Sequence, residues 1–303
     1  MYTAPLCDIV SLHGLKVHLY ADDTQVYIFF SFRNTPSIND AMSSAQLCIA
    51  DIDAWMVTNK LKLNGDKTEL MVLTAPTLRA KVTIPPLTIG EASISANPSI
   101  RNLGSMWDQA ATMEEHIRFV CKSCYYHLHN IAGIRHMLTR DATEKLMHAF
   151  VSSRLDSCNS LLLNVPAAQI SKLQRVLNCA ARIVLRRKKC DSISDILKEL
   201  HWLPVKQRIL FKVNCISYQC VSGTAPVYLS ELVFPYVPQR SLRSTNQLLL
   251  QQPSSRTKSY GDRAFSVAAP KLWKQLPTDI RFCDSYTVFK KLLKTHLFKD
   301  AYY

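Results

Sequence analysis

Two adjacent aspartates, Asp22 and Asp23, stand between two short runs that each alternate apolar and polar side chains. Upstream, Leu15, Val17 and Leu19 alternate with Lys16, His18 and Tyr20; downstream, Val26, Ile28 and Phe30 alternate with Gln25, Tyr27 and Phe29. A period of two marks half-buried strands, so the chain here is expected to double back as a β-hairpin with both carboxylates at its tip. Ionised carboxylates side by side repel each other. Such a tip is either a solvated turn, where Asp is common, or a place where cations sit.

Phosphoryl transfer supplies a chemical reason for the second reading, because paired Mg²⁺ ions about 4 Å apart, held by carboxylates, stabilise the attacking and leaving oxygens. The segments that follow narrow the choice. Tyr20-Ala21-Asp22-Asp23 is followed by Trp55-Met56-Val57-Thr58-Asn59, by Leu61-Lys62-Leu63-Asn64 with Lys67-Thr68-Glu69, and by Arg101-Asn102-Leu103-Gly104. Further blocks are Leu173-Gln174-Arg175, His201-Trp202-Leu203-Pro204, Arg256-Thr257-Lys258-Ser259 and Leu276-Pro277. In this order the blocks closely resemble the reverse transcriptase of non-LTR, LINE-type (jockey-like) retrotransposons, over nearly the whole chain.

The resemblance implies an RNA-directed DNA polymerase, a nucleotidyltransferase that uses Mg²⁺, an RNA template, a DNA primer and deoxynucleotides. Asp22 and Asp23 are implied as metal-binding catalytic residues, with Asp22 the direct ligand. Lys67 is implied to lie near the nucleotide phosphates, where it protonates departing pyrophosphate or offsets its charge; a surface lysine beside a turn is the plain alternative. Arg101, Asn102, Leu103 and Gly104 correspond to the primer grip. In such an enzyme the fingers, the first palm Asp and the glycine-containing nucleotide block would all precede Met1. Only Asp8 precedes Asp22. The expectation is therefore a carboxy-terminal fragment whose two-metal site is incomplete. The rival expectation is a non-catalytic basic nucleic-acid-binding protein derived from a mobile element.

The fold class expected is α+β: a partial palm over 1–108, in which an antiparallel sheet is covered by a helix; a helical thumb over 109–190; and a mostly helical basic region over 191–303. A 48% hydrophobic content over 303 residues supports buried cores. Residues 1–108 hold 8 Lys/Arg against 10 Asp/Glu, a net charge of −2, whereas residues 109–303 hold 29 against 13, a net charge of +16. A cationic segment of this kind attracts polyanions, with nucleic acid the expected partner rather than membrane. There is no apolar run long enough for a membrane span and no signal-peptide pattern, so an intracellular address, nucleus or cytoplasm, is expected. The ten cysteines are scattered and read as reduced, packed thiols. Cys121 and Cys124 with His127 and His129 have the spacing of a zinc half-site but lie in a helical stretch without a second half-site. With only seven glycines, no Gly-rich phosphate loop is visible.

Ser37 and Asp40 begin a helix whose apolar stripe is expected at Ile38, Met42, Ala45, Ile49, Ile52 and Met56, extended by Trp55. Short strands are expected over 61–64 and 68–73 with a turn at Gly65-Asp66, small strands within 75–98, and a strand bent at Gly104 over 100–106. Thr112 and Glu115 read as a capping box, followed by a stripe at Ile117, Val120, Cys124, Leu128 and Ile131. A second helix starts near Thr139 and uses Leu146, Ala149 and Phe150. A third, 167–187, carries Ile170, Leu173, Leu177, Ala180 and Val184 on one side, with Lys172, Arg175, Arg182, Arg186 and Lys189 opposite. Arg187 and Lys188 complete a basic run offered to nucleic-acid phosphates, against the plain alternative of a solvated face. Helices are further expected over 192–200, 205–221, 262–275 and 287–298, the second with a core face of Ile209, Val213, Ile216 and Cys220. Loops are expected over 225–238 and 240–256. Trp202, Tyr260, Phe265 and Trp273 are either core residues or base-stacking residues.

Overall fold

The alternating runs around the aspartates do form a hairpin. In the computed structural model, which describes residues 3–31, 37–79, 82–237, 247–255, 257 and 260–303, β1 (Lys16–Tyr20) pairs antiparallel with β2 (Asp23–Tyr27), placing Tyr20 opposite Asp23 and Val17 opposite Val26. Val17, Val26 and Ile28 turn to one side and pack on a core of Leu6, Val10, Leu15, Cys48 and Ile52. Leu6 and Val10 belong to a short helix that the sequence pattern does not announce, α1 (Leu6–Leu12).

Helix α2 (Ile38–Thr58) starts where the sequence places it. The Asp40 N–H donates to Ser37 Oγ at 3.3 Å, and the Ser37 N–H donates to the Asp40 carboxylate at 2.9 Å. The Ser37 N–H and the Ser37 hydroxyl, both donating to the carboxylate at 2.9 Å, hold the Asp40 carboxyl below its usual range. The buried face, however, is rotated from the expected stripe. Ala41, Cys48 and Ile52 are buried, not Met42 and Ile49; α1 packs on Cys48 and Ile52, where the small Cys48 side chain admits a close neighbour. Trp55 and Met56 border the same core.

The strands expected over 61–64 and 68–73 do not form. The Asn64 side chain accepts the Lys67 N–H at 3.2 Å and the Thr68 hydroxyl donates to the Asn64 carbonyl at 2.9 Å, closing a 3₁₀ turn at Gly65–Lys67. Side chains thereby satisfy backbone groups that a ladder would have used. Only Leu70 pairs, in an isolated bridge to Ala96. After α3 (Pro76–Arg79), small strands form in this stretch as expected, β3 (Leu87–Ile89) and β4 (Ala92–Ile94), paired as a hairpin. Gln46 of α2 acts as a strand neighbour to β3: the Thr88 N–H donates to Gln46 Oε1, and Gln46 Nε2 donates to the Thr88 carbonyl, both at 2.8 Å.

The expected bent strand over 100–106 is instead a hairpin of β5 (Ser99–Asn102) and β6 (Ser105–Asp108). Leu103 and Gly104 have φ of +44° and +83°, the two positive values that a tight I′ turn requires. The palm expected as one sheet is thus, among the described residues, three two-stranded sheets. The chain as a whole is mixed α+β, mostly helical with small antiparallel sheets.

Residues 1–102 with 107–110 form one compact unit, and 103–106 with 111–303 a second. In the second unit, α4 (Glu114–Ile134) buries Ile117, Val120, Cys124, Leu128 and Ile131 as expected, together with His116. Its expected capping box is absent. Met113, fully buried at φ +65°, precedes the helix; the Thr112 hydroxyl accepts the Glu114 N–H, and Glu115 pairs with Arg118 instead. Anchoring Met113 in the core sets this left-handed entry.

The second helix begins at Thr139, whose Oγ1 accepts the Ala142 N–H at 3.2 Å. It runs as α5 (Arg140–Met147), a π-helical segment His148–Ser152, and α6 (Ser153–Asp156). In α5 Thr143 and Met147 are buried and Leu146 is half-buried; through the wider π turn the buried face continues at Val151 and Leu155, leaving Ala149 and Phe150 exposed. Helix α7 (Ala167–Leu185) buries Leu173, Leu177, Ala180 and Val184; Ile170 is only half-buried. Val176 and Ala181 join the buried set because α7 packs on α4 and also on later helices.

Those later helices are α8 (Ile193–Glu199), α9 (Val205–Val221), α10 (Val227–Ser230), α11 (Phe265–Gln275), α12 (Thr278–Arg281) and α13 (Tyr286–Tyr302). Helix α9 lies among α7, α11 and α13 and is buried beyond one face: Cys215, Ser217 and Tyr218 join Ile209 and Val213, while Ile216 and Cys220 are half-buried. Trp273 and Phe289, both fully buried, stack at 5.9 Å in the carboxy-terminal core. Residues 238–246, 256, 258 and 259, within the expected loops and the Arg256-Thr257-Lys258-Ser259 block, lie outside the described residues.

Candidate functional site

Strand pairing decides where the first candidate residues stand. A two-residue turn, Ala21-Asp22, joins β1 to β2, with Ala21 at φ +55° as primed hairpin turns demand at their first position. Asp22 lies in the turn, Asp23 begins β2, and both are exposed. On the outward face, Tyr20 is opposite Asp23, His18 opposite Gln25, and Lys16 opposite Tyr27. The Gln25 side chain leaves this row and donates from Nε2 to Asn102 Oδ1 at 2.5 Å. The hairpin bearing the aspartates is therefore tied to the segment Arg101, Asn102, Leu103 and Gly104 through Asn102. Lys67 is exposed at the end of its 3₁₀ turn, and the structure gives it no ion pair with a described carboxylate.

Among the described residues, no group of three or more His, Cys, Asp or Glu side chains gathers in a way that could hold a metal ion. Asp22 and Asp23 alone supply two carboxylates, which does not complete a two-metal arrangement, since each ion needs several oxygen ligands in fixed geometry. Cys124 of the half-site spacing is buried among apolar side chains, its thiol pushed up to about 12 by burial, and His127 stacks on Phe150.

The second candidate lies on the paired helices α4 and α7. Lys172 and Arg175 of α7 face Arg118, Lys122 and Tyr125 of α4 across a groove of about 480 Å³, with Glu114 at its edge. Gln169 Nε2 donates to Glu114 at 2.5 Å, joining the two helices there. Burial pushes the Cys121 thiol up, and the Lys172 and Arg175 charges beside it pull the other way, as an electropositive groove dictates. Arg118, Lys122 and Tyr125 do not stand out in the sequence. Their spacing of four and three places them on one helical face, but only the packing of α4 on α7 sets that face against Lys172 and Arg175.

The rest of the expected basic run is employed differently. Arg182 is half-buried, and its guanidinium donates to the carbonyls of Lys188, Lys189 and Asp191 at 3.3–3.4 Å, closing the loop after α7. Arg186 caps α7 at φ +52° and donates to the Arg135 carbonyl at 3.1 Å. Arg187 faces Glu199 at 3.6 Å. Lys188 and Lys189 are exposed in the loop.

The aromatic candidates divide. Trp202 and Trp273 are buried and their indole N–H groups donate to Glu144 at 3.3 Å and to the Leu248 carbonyl at 2.8 Å, so neither offers a face to a base. Phe265 packs on the carboxy-terminal core, and Tyr260 is exposed.

Comparison with family models, with curated proteins and with solved structures finds no match for this chain. None of its described helices is long and apolar enough to cross a membrane.

Proposed function

We propose that this chain corresponds to the carboxy-terminal part of a LINE-type reverse transcriptase. In this reading, its 111–303 segment holds the backbone of a template–primer duplex in the groove between α4 and α7. The groove itself carries the proposal: four cations and a tyrosine from two helices line it, and a row of cations beside an aromatic ring suits phosphates, with Glu114 the only carboxylate in the lining. The Asp22–Asp23 hairpin would contribute two carboxylates to the metal site of the intact polymerase. The link from Gln25 to Asn102 supports this, because it joins the hairpin to the segment that the resemblance assigns to the primer.

Binding of an RNA–DNA duplex is expected to weaken linearly with the logarithm of salt concentration. Lys172→Ala combined with Arg175→Ala should lower that slope by about 2, one for each phosphate no longer neutralised. A salt-independent affinity would sink the reading. For the hairpin, Mn²⁺ should broaden the NMR signals of residues 20–24, and Asp22→Asn should abolish the effect; no broadening in the unaltered chain would remove the metal assignment.

A second reading, a nucleic-acid-binding protein without catalysis, is favoured by the absence of a third ligand group beside Asp22 and Asp23 among the described residues. The two part in a primer-extension assay with RNA template, Mg²⁺ and deoxynucleotides. Extension by this chain that Asp22→Asn abolishes decides for a working enzyme; no extension together with duplex binding fits the binding protein and equally a polymerase segment that is inactive alone.

A further inference from the structure

Where α7 ends, four arginines converge on a pocket of about 370 Å³ that none of the groove residues lines. Arg135 forms its base. Its Nε donates to the Ile183 carbonyl, Nη2 to that of Val184 and Nη1 to that of Leu138, each at 2.8 Å. Three bonds fix this guanidinium and set a positive charge against the negative end of the helix dipole. Arg186, held in the left-handed cap conformation, places one N–H on the Arg135 carbonyl. Arg140, at the start of α5, and Arg187 complete the ring.

One carboxylate stands among them. Glu199 of α8 sets Oε1 at 3.0 Å from Arg140 and Oε2 at 3.6 Å from Arg187, so its two oxygens face two different guanidiniums. Against four arginines, this leaves an excess of three positive charges. Burial chiefly, and then the neighbouring Arg186 charge, push the Arg135 guanidinium down from its usual range. The side chains of Arg140 and Arg187 are each 53% exposed and that of Glu199 is 41% exposed. Ion pairs this accessible are weak, so a competing anion displaces Glu199 at little cost.

We propose that Arg140, Arg186 and Arg187 form a binding pocket for a dianionic phosphate group, in which Glu199 occupies the place of the phosphate oxygens until the ligand displaces it. The chemistry favours phosphate over a carboxylate ligand. Guanidinium forks match phosphate oxygens two at a time, and a second negative charge uses the excess that one carboxylate leaves. A terminal phosphate of a nucleic acid and free phosphate or pyrophosphate share this chemistry. The pocket goes beyond the duplex groove and does not depend on it.

The test is calorimetric titration of the full chain with inorganic phosphate, with pyrophosphate, and with matched single-stranded oligonucleotides bearing a 5′-phosphate or a 5′-hydroxyl. Pyrophosphate is expected to bind, about threefold to fivefold more tightly when Glu199→Gln removes the competing charge. Arg140→Ala with Arg187→Ala should weaken it about tenfold or more, and Arg187→Lys, which keeps the charge without the fork, should lie between. Far-ultraviolet circular dichroism checks that each variant is folded. Preference for the 5′-phosphorylated oligonucleotide identifies a nucleic-acid end as the source; binding of the inorganic anions alone identifies free phosphate. An affinity that Glu199→Gln lowers or leaves unchanged overturns the proposal, as does the absence of binding by either inorganic anion and of any preference between the two oligonucleotides. Duplex binding without any of these responses would remove the pocket and spare the groove; pyrophosphate binding in a chain that ignores duplex would do the reverse.

Discussion

Ala21 bears the conformational cost of the hairpin that presents Asp22 and Asp23. An L-residue at φ +55° is disfavoured by about 1–2 kcal/mol relative to the right-handed region, and glycine escapes most of that penalty while losing more chain entropy. Ala21→Gly should therefore raise the stability of the 1–110 segment by about 0.5 kcal/mol in urea denaturation, with the carboxylates left in place. His116 acts differently. It is 3% exposed, its Nδ1 accepts the Met106 N–H at 3.3 Å, and burial pushes its imidazole below the usual range. The native state keeps the ring neutral, whereas the unfolded chain takes up a proton below about pH 6.5. The associated stability is fully present above that pH and declines as pH falls toward the lowered native value. His116→Gln should flatten the slope of unfolding free energy against pH in that interval, and an unchanged slope would contradict the assignment.

Individual elements depend on side chains that replace missing backbone partners. Gln46 is the clearest case, because its amide supplies both the donor and the acceptor that a neighbouring strand would offer to Thr88. Gln46→Ala is expected to cost about 1–2 kcal/mol and to remove the hydrogen-exchange protection of the Thr88 amide; protection that survives would mean that water or another group serves equally well. The same principle explains the lost strand at 61–64. Asn64 and Thr68 satisfy the turn locally, which leaves the run Leu61-Lys62-Leu63 without a ladder despite its alternating pattern.

Across the molecule, the carboxy-terminal core is assembled from residues distant in the chain: Leu203 and Tyr218 meet Trp273, Phe289 and Leu293. Tyr218 stacks on Phe289 at 4.4 Å and donates its hydroxyl to the Cys283 carbonyl at 2.8 Å. Removing Trp273 empties the centre and orphans the Leu248 carbonyl, so Trp273→Ala should destabilise the 111–303 segment by about 3–5 kcal/mol with loss of near-ultraviolet circular dichroism. A much smaller loss would mean that the core collapses around the site.

Local periodicity sufficed for the hairpin at residues 16–27, for the stripe from Ile117 to Ile131, and for the span of α7, because the spacing of apolar side chains is set by the strand or helix on which they lie. The same spacing misjudged α2, where the packing of α1 turned Cys48 inward, and the continuation of α5, where a π turn carries the buried face to Val151 and Leu155. The candidate sites divide along the same line. Asp22 and Asp23 were legible because one tight turn presents both. The retraction of Arg182 onto carbonyl oxygens is local to the loop after α7, whereas the facing of Arg118 and Lys122 to Lys172 and Arg175 and the closure of Arg140 and Arg187 on Glu199 required helices to pack. Residues some 50 positions apart in the chain acquire a common electric field only when tertiary packing brings them within a few ångströms.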